Sequence, residues 1–304
     1  MQCIYALTLS KDESLDKQKM FLKESIANTY SLYLLVLSLL LELHKREKNF
    51  LKLSSKKYIN TEDTSIKDPK RFVNNAVLVQ LSNNEELLDS LEANKLNQWD
   101  LHEDYVKIVF NAVKDSELFE NYMRLSEVDY EIDKSFISQL FKEIIAPNEK
   151  IYEYFEDDKL TWVDDIPLVN TFILKILKKL KNTSPSSYFL PALLKDEDDM
   201  LFAEQLLVKT LLNNKAFEEE IQLKTPNWDK DRIADIDAIL LKMAICELQY
   251  FSSIPERVTI NEYLEIAKEY STPKSSIFIN GILDKIVKEF KQSGKLKKAG
   301  RGLL

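Results

Sequence analysis

Apolar positions along this chain recur mostly at helical spacing, and the pattern predicts an all-α fold. The first long stretch runs from Leu15 to Leu53 and contains YSLYLLVLSLLLELHK. A polar segment, SSKKYINTEDTSIKD, follows as a loop. Helical patterns then cover about Pro69–Asn94, Leu101–Leu125, Ile132–Phe155 and Asp164–Lys181, with the eight prolines as punctuation between stretches. NTSPSSYFLP, from Asn182 to Pro191, reads as a linker. Beyond it, Glu197–Leu212 and Asp231–Phe251 read as helices, the second with Ile233, Ile236, Ile239, Leu240, Met243, Tyr250 and Phe251 on one face. A helix beginning near Thr259 buries Ile260, Tyr263, Leu264 and Ala267. A last helix, Ser275–Phe290, follows Pro273 and turns Phe278, Ile279, Ile282, Leu283, Ile286 and Phe290 to one side. The division expected is a helical region over 1–183, a linker at 184–195, a helical domain at 196–292 and a basic tail at 293–304.

Two residues interrupt these faces. Glu247 lies in the middle of the apolar face of Asp231–Phe251. A buried carboxylate is costly unless hydrogen-bonded, so Glu247 is expected to accept from backbone N–H groups at the start of the Thr259 helix. Thr259-Ile-Asn-Glu262 has capping-box spacing, which gives Thr259 and Glu262 structural roles there. No second titratable group supports a catalytic role for Glu247. Gly281 lies inside the last helix, where glycine costs roughly 0.5–1 kcal/mol against alanine. That cost implies close approach, by a neighbouring helix or by a ligand.

Composition narrows the function. All four glycines lie at Gly281, Gly294, Gly300 and Gly302. Phosphate-cradling loops, dinucleotide fingerprints and nucleophile elbows need glycine, so the first 280 residues hold none of them. No catalytic residue is expected, and no cofactor. The net charge is −8, yet Lys268–Leu304 carries nine Lys or Arg against three Asp or Glu, which places a local anion site on an acidic body. Two cysteines, Cys3 and Cys246, and two histidines, His44 and His102, give no metal-ligand spacing and fit a reduced, cytoplasmic protein. The uncharged run Ser25–Leu41 carries polar interruptions and reads as a buried core helix, with no membrane span expected. Trp99, Trp162, Trp228, Tyr152 and Tyr154 read as packing residues, and the acidic cluster 195–199 as a helix start.

The stretch DRIADIDAILLKMAICELQYFSSIPERVTINEYLEIAKEYSTPKSSIFINGILDKI, Asp231–Ile286, resembles the C-terminal half of the NusB transcription antitermination family. The resemblance fades backward through FAEQLLVKTLLNNKAFEEEI to about Asp198. Near the other end, Gln2-Cys-Ile-Tyr-Ala-Leu resembles the family's Q-x-L-Y-A segment. The resemblance implies a NusB-like helical bundle without catalytic activity, which binds boxA-type RNA with NusE, a small-subunit ribosomal protein, in the transcription elongation complex. The residues it brings forward for RNA are Lys274, Ser275, Phe278, Asn280 and Lys285, with Asp237 toward the protein partner. Some family members form a homodimer that hides the RNA surface. Family members also carry an arginine-rich stretch before Q-x-L-Y-A; the sequence as given opens at Met1 without one, so Lys285, Lys288, Lys295, Lys297, Lys298 and Arg301 become candidates for a replacement arm, although their ordinary reading is a solvated, solubilising tail. The alternative reading is a helical protein-interaction module that does not itself bind RNA. Nothing in the resemblance gives 12–194 a role.

Overall fold

The computed structural model describes residues 1–9, 14–56, 68–225, 233–296 and 298. Among them every regular element is helical, so the fold is all-α. The chain forms two compact units, Ser25–Leu193 and a discontinuous one made of Met1–Glu24 with Leu194–Leu304. The expected 1–183 region is therefore not one unit. Its first residues, α1 (Gln2–Leu9) and the opening turns of α2 (Leu15–Lys56), group with the C-terminal part.

In the 25–193 unit, α2 is the central helix. Leu32–Leu40 and Leu43 are buried on every side, as expected of a helix apolar all round. By length and hydropathy alone α2 would cross a membrane, but this stretch lies in the unit's core. Around it lie α3 (Ala76–Ser82), α4 (Glu85–Ala93), α5 (Gln98–Leu101), α6 (Glu103–Lys114), α7 (Glu117–Arg124), α8 (Tyr130–Leu140), α9 (Glu149–Asp158) and α10 (Trp162–Lys179). The longer stretches expected from periodicity are broken by caps. The side chains of Asn75, Asn84, Ser116, Asp129 and Asn148 each accept from an amide in the first turn of the helix that follows, which satisfies orphan donors and starts a new helix. Pro167, expected to separate helices, sits inside α10.

Trp99 and Trp162 are buried and donate to Leu35 O and Asn28 O; Tyr154 is buried and Tyr152 partly exposed. Trp228 lies outside the described residues. The expected linker is packed: Ser186–Phe189 form a 3₁₀ turn, Phe189 is buried, and its carbonyl accepts from the Tyr33 hydroxyl at 2.9 Å.

The discontinuous unit continues with α11 (Glu197–Leu212), α12 (Asn214–Lys224), α13 (Asp235–Tyr250), α14 (Glu256–Tyr270) and α15 (Ser275–Gln292). The acidic cluster does start α11, with Asp196 as its cap. Here α13 is central, with Ile239–Leu241 and Met243–Leu248 buried; Tyr250, expected on its apolar face, is largely exposed. Cys3 and Ile4 of α1, Tyr263 and Ala267 of α14, and Ile279, Leu283, Ile286 and Phe290 of α15 share its core. The start of α2 is tied to α11 within the same unit by Lys23 and Glu204, 2.7 Å apart.

Candidate nucleic-acid interface

Two buried polar nodes set the angle at which α14 and α15 leave α13. In the first, Glu247 accepts from the Thr259 hydroxyl at 2.7 Å and the Tyr263 hydroxyl at 3.1 Å. All three side chains are buried. Burial and the adjacent carboxylate hold the Tyr263 phenol well above its ordinary pKa, so it stays a donor. Glu247 is thus structural, but its partners are hydroxyls rather than helix-start amides. The capping box is not formed either. The helix begins three residues earlier, at Glu256 after Pro255, which leaves Thr259 inside it and Glu262 exposed on its outer side. The carbonyls of Glu247 and Phe251 accept from the Lys298 ammonium at 3.1 and 2.9 Å, closing the C-terminus of α13 as cations do. Burial lowers the pKa of Lys298. Beside this node, burial pushes the Cys246 thiol up to about 11, which makes it a packing residue rather than a nucleophile.

In the second node, Asp237 accepts from the Ser271 hydroxyl at 2.6 Å and the Ser275 hydroxyl at 2.7 Å, and Thr272 bonds Ser275 at 2.8 Å. Asp237 and Ser275 are both buried. This corrects two expectations. Asp237 is turned inward rather than exposed, and the Ser275 hydroxyl is engaged with it; together they lock the turn between α14 and α15. The exposed acid is Asp235, two residues earlier.

The turn fixes where α15 shows its outer face. Lys274, Phe278, Gly281, Lys285 and Lys288 are spaced i, i+4, i+7, i+11, i+14 and form one stripe at 3.6 residues per turn. The three lysines are exposed, and among the described residues none has a carboxylate within ion-pair distance. Phe278 is half-buried against the core, and Ile277 beside it is 75% exposed. Gly281 is exposed, and a Cβ built there meets nothing within 4 Å. Of the two expected causes, helix packing is excluded, because no neighbouring protein atom approaches; the helix backbone is open at the middle of the stripe. Asn280 is half-buried and lies off the stripe. Of the proposed arm, Lys295 leans toward Glu220 at 3.9 Å and Lys298 is spent on α13, while Lys297 and Arg301 lie outside the described residues.

On another side of the same unit, α1, α12 and α13 enclose an open cleft of about 320 Å³. Tyr5, Thr8, Glu218, Ile221, Asp235 and Lys242 line it, with Lys242 3.8 Å from Glu218. In the sequence Tyr5 is only one residue of the Gln2–Leu7 segment; its exposure in a cleft is a tertiary property.

The NusB family model matches residues 171–288, from inside α10 to the last turns of α15. The transcription antitermination protein NusB of Salinibacter ruber is 44% identical over 111 residues, 36% of this chain and 69% of that protein. The chain belongs to the NusB family. Proteins of the same name from Chloroherpeton thalassium and Methylacidiphilum infernorum are each 43% identical, over 34% and 31% of this chain and 49% and 66% of their own lengths. No solved structure gives a significant match. The family match takes in both polar nodes, the α15 stripe, and α12 and α13 of the cleft; most of the 25–193 unit lies outside it.

Proposed function

We propose that this NusB-family chain is a cytoplasmic transcription antitermination factor. It binds boxA-type RNA on the α15 stripe, together with a NusE-like ribosomal protein, and supports ribosomal RNA transcription within the elongation complex. The observation that carries the reading is the row of exposed Lys274, Lys285 and Lys288, with no carboxylate partner among the described residues, around the open backbone at Gly281. Lysines in a row follow a phosphate backbone, Phe278 and Ile277 offer apolar surface to an unstacked base, and a missing Cβ lets the strand lie close. The cleft carrying Tyr5 and the exposed Asp235 suits a basic protein partner better than Asp237 does. Ribosomal proteins are of that kind because they themselves bind RNA.

The test is fluorescence anisotropy with a boxA-type RNA, with and without the NusE homologue, across salt concentrations. Lys285→Glu/Lys288→Glu is expected to weaken binding at least about 10-fold and to lower the salt slope by about two. Unchanged affinity and slope would remove the stripe as the site. No RNA binding by the native chain under either condition at low salt would leave a protein-interaction module instead.

A further inference from the structure

The outer face of α10, in the 25–193 unit, carries a second surface with the two ingredients that single-stranded nucleic acid uses. Leu168, Phe172, Lys175 and Lys179 follow i, i+4, i+7, i+11 and line one stripe, and all four are exposed. At its N-terminal half the stripe borders an apolar cleft of about 220 Å³ walled by Tyr30, Tyr33, Val169, Phe172, Pro191 and Leu193. The ring centroids of Tyr30 and Tyr33 are 5.8 Å apart and stacked, and Phe172 meets Tyr33 edge-on at 5.7 Å. Tyr33 is buried and its hydroxyl is held by Phe189 O, so the back wall is rigid, while Tyr30 and Phe172 keep open ring surface.

At the other half, Lys175, Lys178, Lys179 and Lys181 are all exposed. Among the described residues none of the four has a carboxylate within ion-pair distance. The unit as a whole holds 21 Lys or Arg against 27 Asp or Glu, so the row is a local reversal of sign rather than part of a basic surface. Lysines suit a helix C-terminus in any protein, but that preference does not explain an open aromatic cleft one turn before them. Asp164 and Asp165 occupy the opposite end of α10, Asp165 accepting from Thr29 at 2.8 Å on the cleft rim. An anionic strand is therefore directed away from them and along the lysines.

We propose that this face of α10 is a second site for single-stranded RNA, with one base in the Tyr30–Tyr33–Phe172 cleft and the phosphates beyond it over Lys175, Lys178, Lys179 and Lys181. From Phe172 to Lys179 is about 10 Å along the helix, a span of backbone next to a single stacked base. The proposal shares with the function above only the class of ligand, and uses none of the residues of the α15 stripe.

The test uses the full chain and two labelled probes, a short boxA-type RNA and an oligouridylate of about 15 nucleotides. Lys175→Glu/Lys179→Glu is expected to weaken oligouridylate about 10-fold and to lower the salt slope by about two. Phe172→Leu keeps apolar volume and is expected to weaken it about 5-fold with an unchanged slope, since stacking is not ionic. Both variants are expected to hold boxA-type RNA within about 2-fold and to melt like the native chain. Failure of the native chain to bind oligouridylate at low salt, or native affinity and slope in Lys175→Glu/Lys179→Glu, would overturn the proposal. So would displacement of the RNA by polyglutamate as readily as by unlabelled RNA, which would indicate an acidic protein ligand. Loss of oligouridylate binding in the α10 variants alongside native boxA binding in Lys285→Glu/Lys288→Glu would sink the α15 reading and leave this one standing.

Discussion

Replacing Thr259 by Val removes one hydroxyl and almost no volume from the best-defined polar node of the protein. The hydroxyl is fully buried and donates to Glu247 at 2.7 Å. Glu247 as a whole is only 6% exposed, and the Tyr263 hydroxyl donates to its other carboxylate oxygen. A hydrogen bond to a charged group is worth about 1.5–3 kcal/mol, and near-isosteric replacement leaves no cavity to add to it. Thr259→Val is therefore expected to cost about 2 kcal/mol. Native-state hydrogen exchange of α13 and α14 amides reads this locally, so the 25–193 unit serves as its own control. The decisive comparison is the same substitution beside Glu247→Leu. With the carboxylate gone, the cost should fall below about 0.5 kcal/mol, a coupling of about 1.5 kcal/mol. A loss of less than about 0.5 kcal/mol in the native background, or an equal loss in both, would refute the hydrogen-bond account of how Glu247 is accommodated.

Gly281→Ala is expected to stabilise the protein by about 0.5–1 kcal/mol, because the new methyl group meets nothing; a destabilised variant in urea unfolding would mean that something packs there after all. Asp165 has its pKa raised, chiefly by burial, with the Thr29 hydroxyl opposing and Asp164 adding to the rise. A carboxyl raised on folding contributes its stability fully below the unfolded pKa and loses it as pH rises through the folded one. Asp165→Asn keeps an acceptor for Thr29 and should melt higher than the native protein at pH 7, with the advantage vanishing near about pH 4. Melting curves in which the native protein is the more stable at pH 7 would contradict the burial account.

What the sequence reveals depends on how locally each feature is determined. Glu197–Leu212 and the start of α15 at Ser275 are readable because their caps and breakers, Asp196 and Pro273, stand beside them. The many short helices between Asn75 and Asp158 are not, because an asparagine or serine inside an amphipathic run looks like a solvated position until its side chain is seen folded onto the next amides. Glu247 is legible as buried from its place on an apolar face, but its partners lie 12 and 16 residues on, beyond any capping rule. Asp237 misleads for the same reason: an acid in a first helical turn suits the dipole in solvent, and only serines 34 and 38 residues away decide that it is inside. For Gly281 the cost inside the helix is real, but the inference from cost to crowding fails, since the residue lies on the outer stripe.

That one unit is made of Met1–Glu24 together with Leu194–Leu304 bears on how the chain comes off the ribosome. Ser25–Leu193 is a contiguous segment with its own core, so it can close as soon as it has emerged. Cys3 and Ile4, in contrast, belong to the same core as Leu283, Ile286 and Phe290, residues translated some 280 positions later. Met1–Glu24 must wait, unpartnered, while an entire unit folds behind it, and the surface that carries the family's match is completed only with the last helix. Loop-closure entropy grows slowly with length, so the finished unit loses little stability by the separation; what it loses is time.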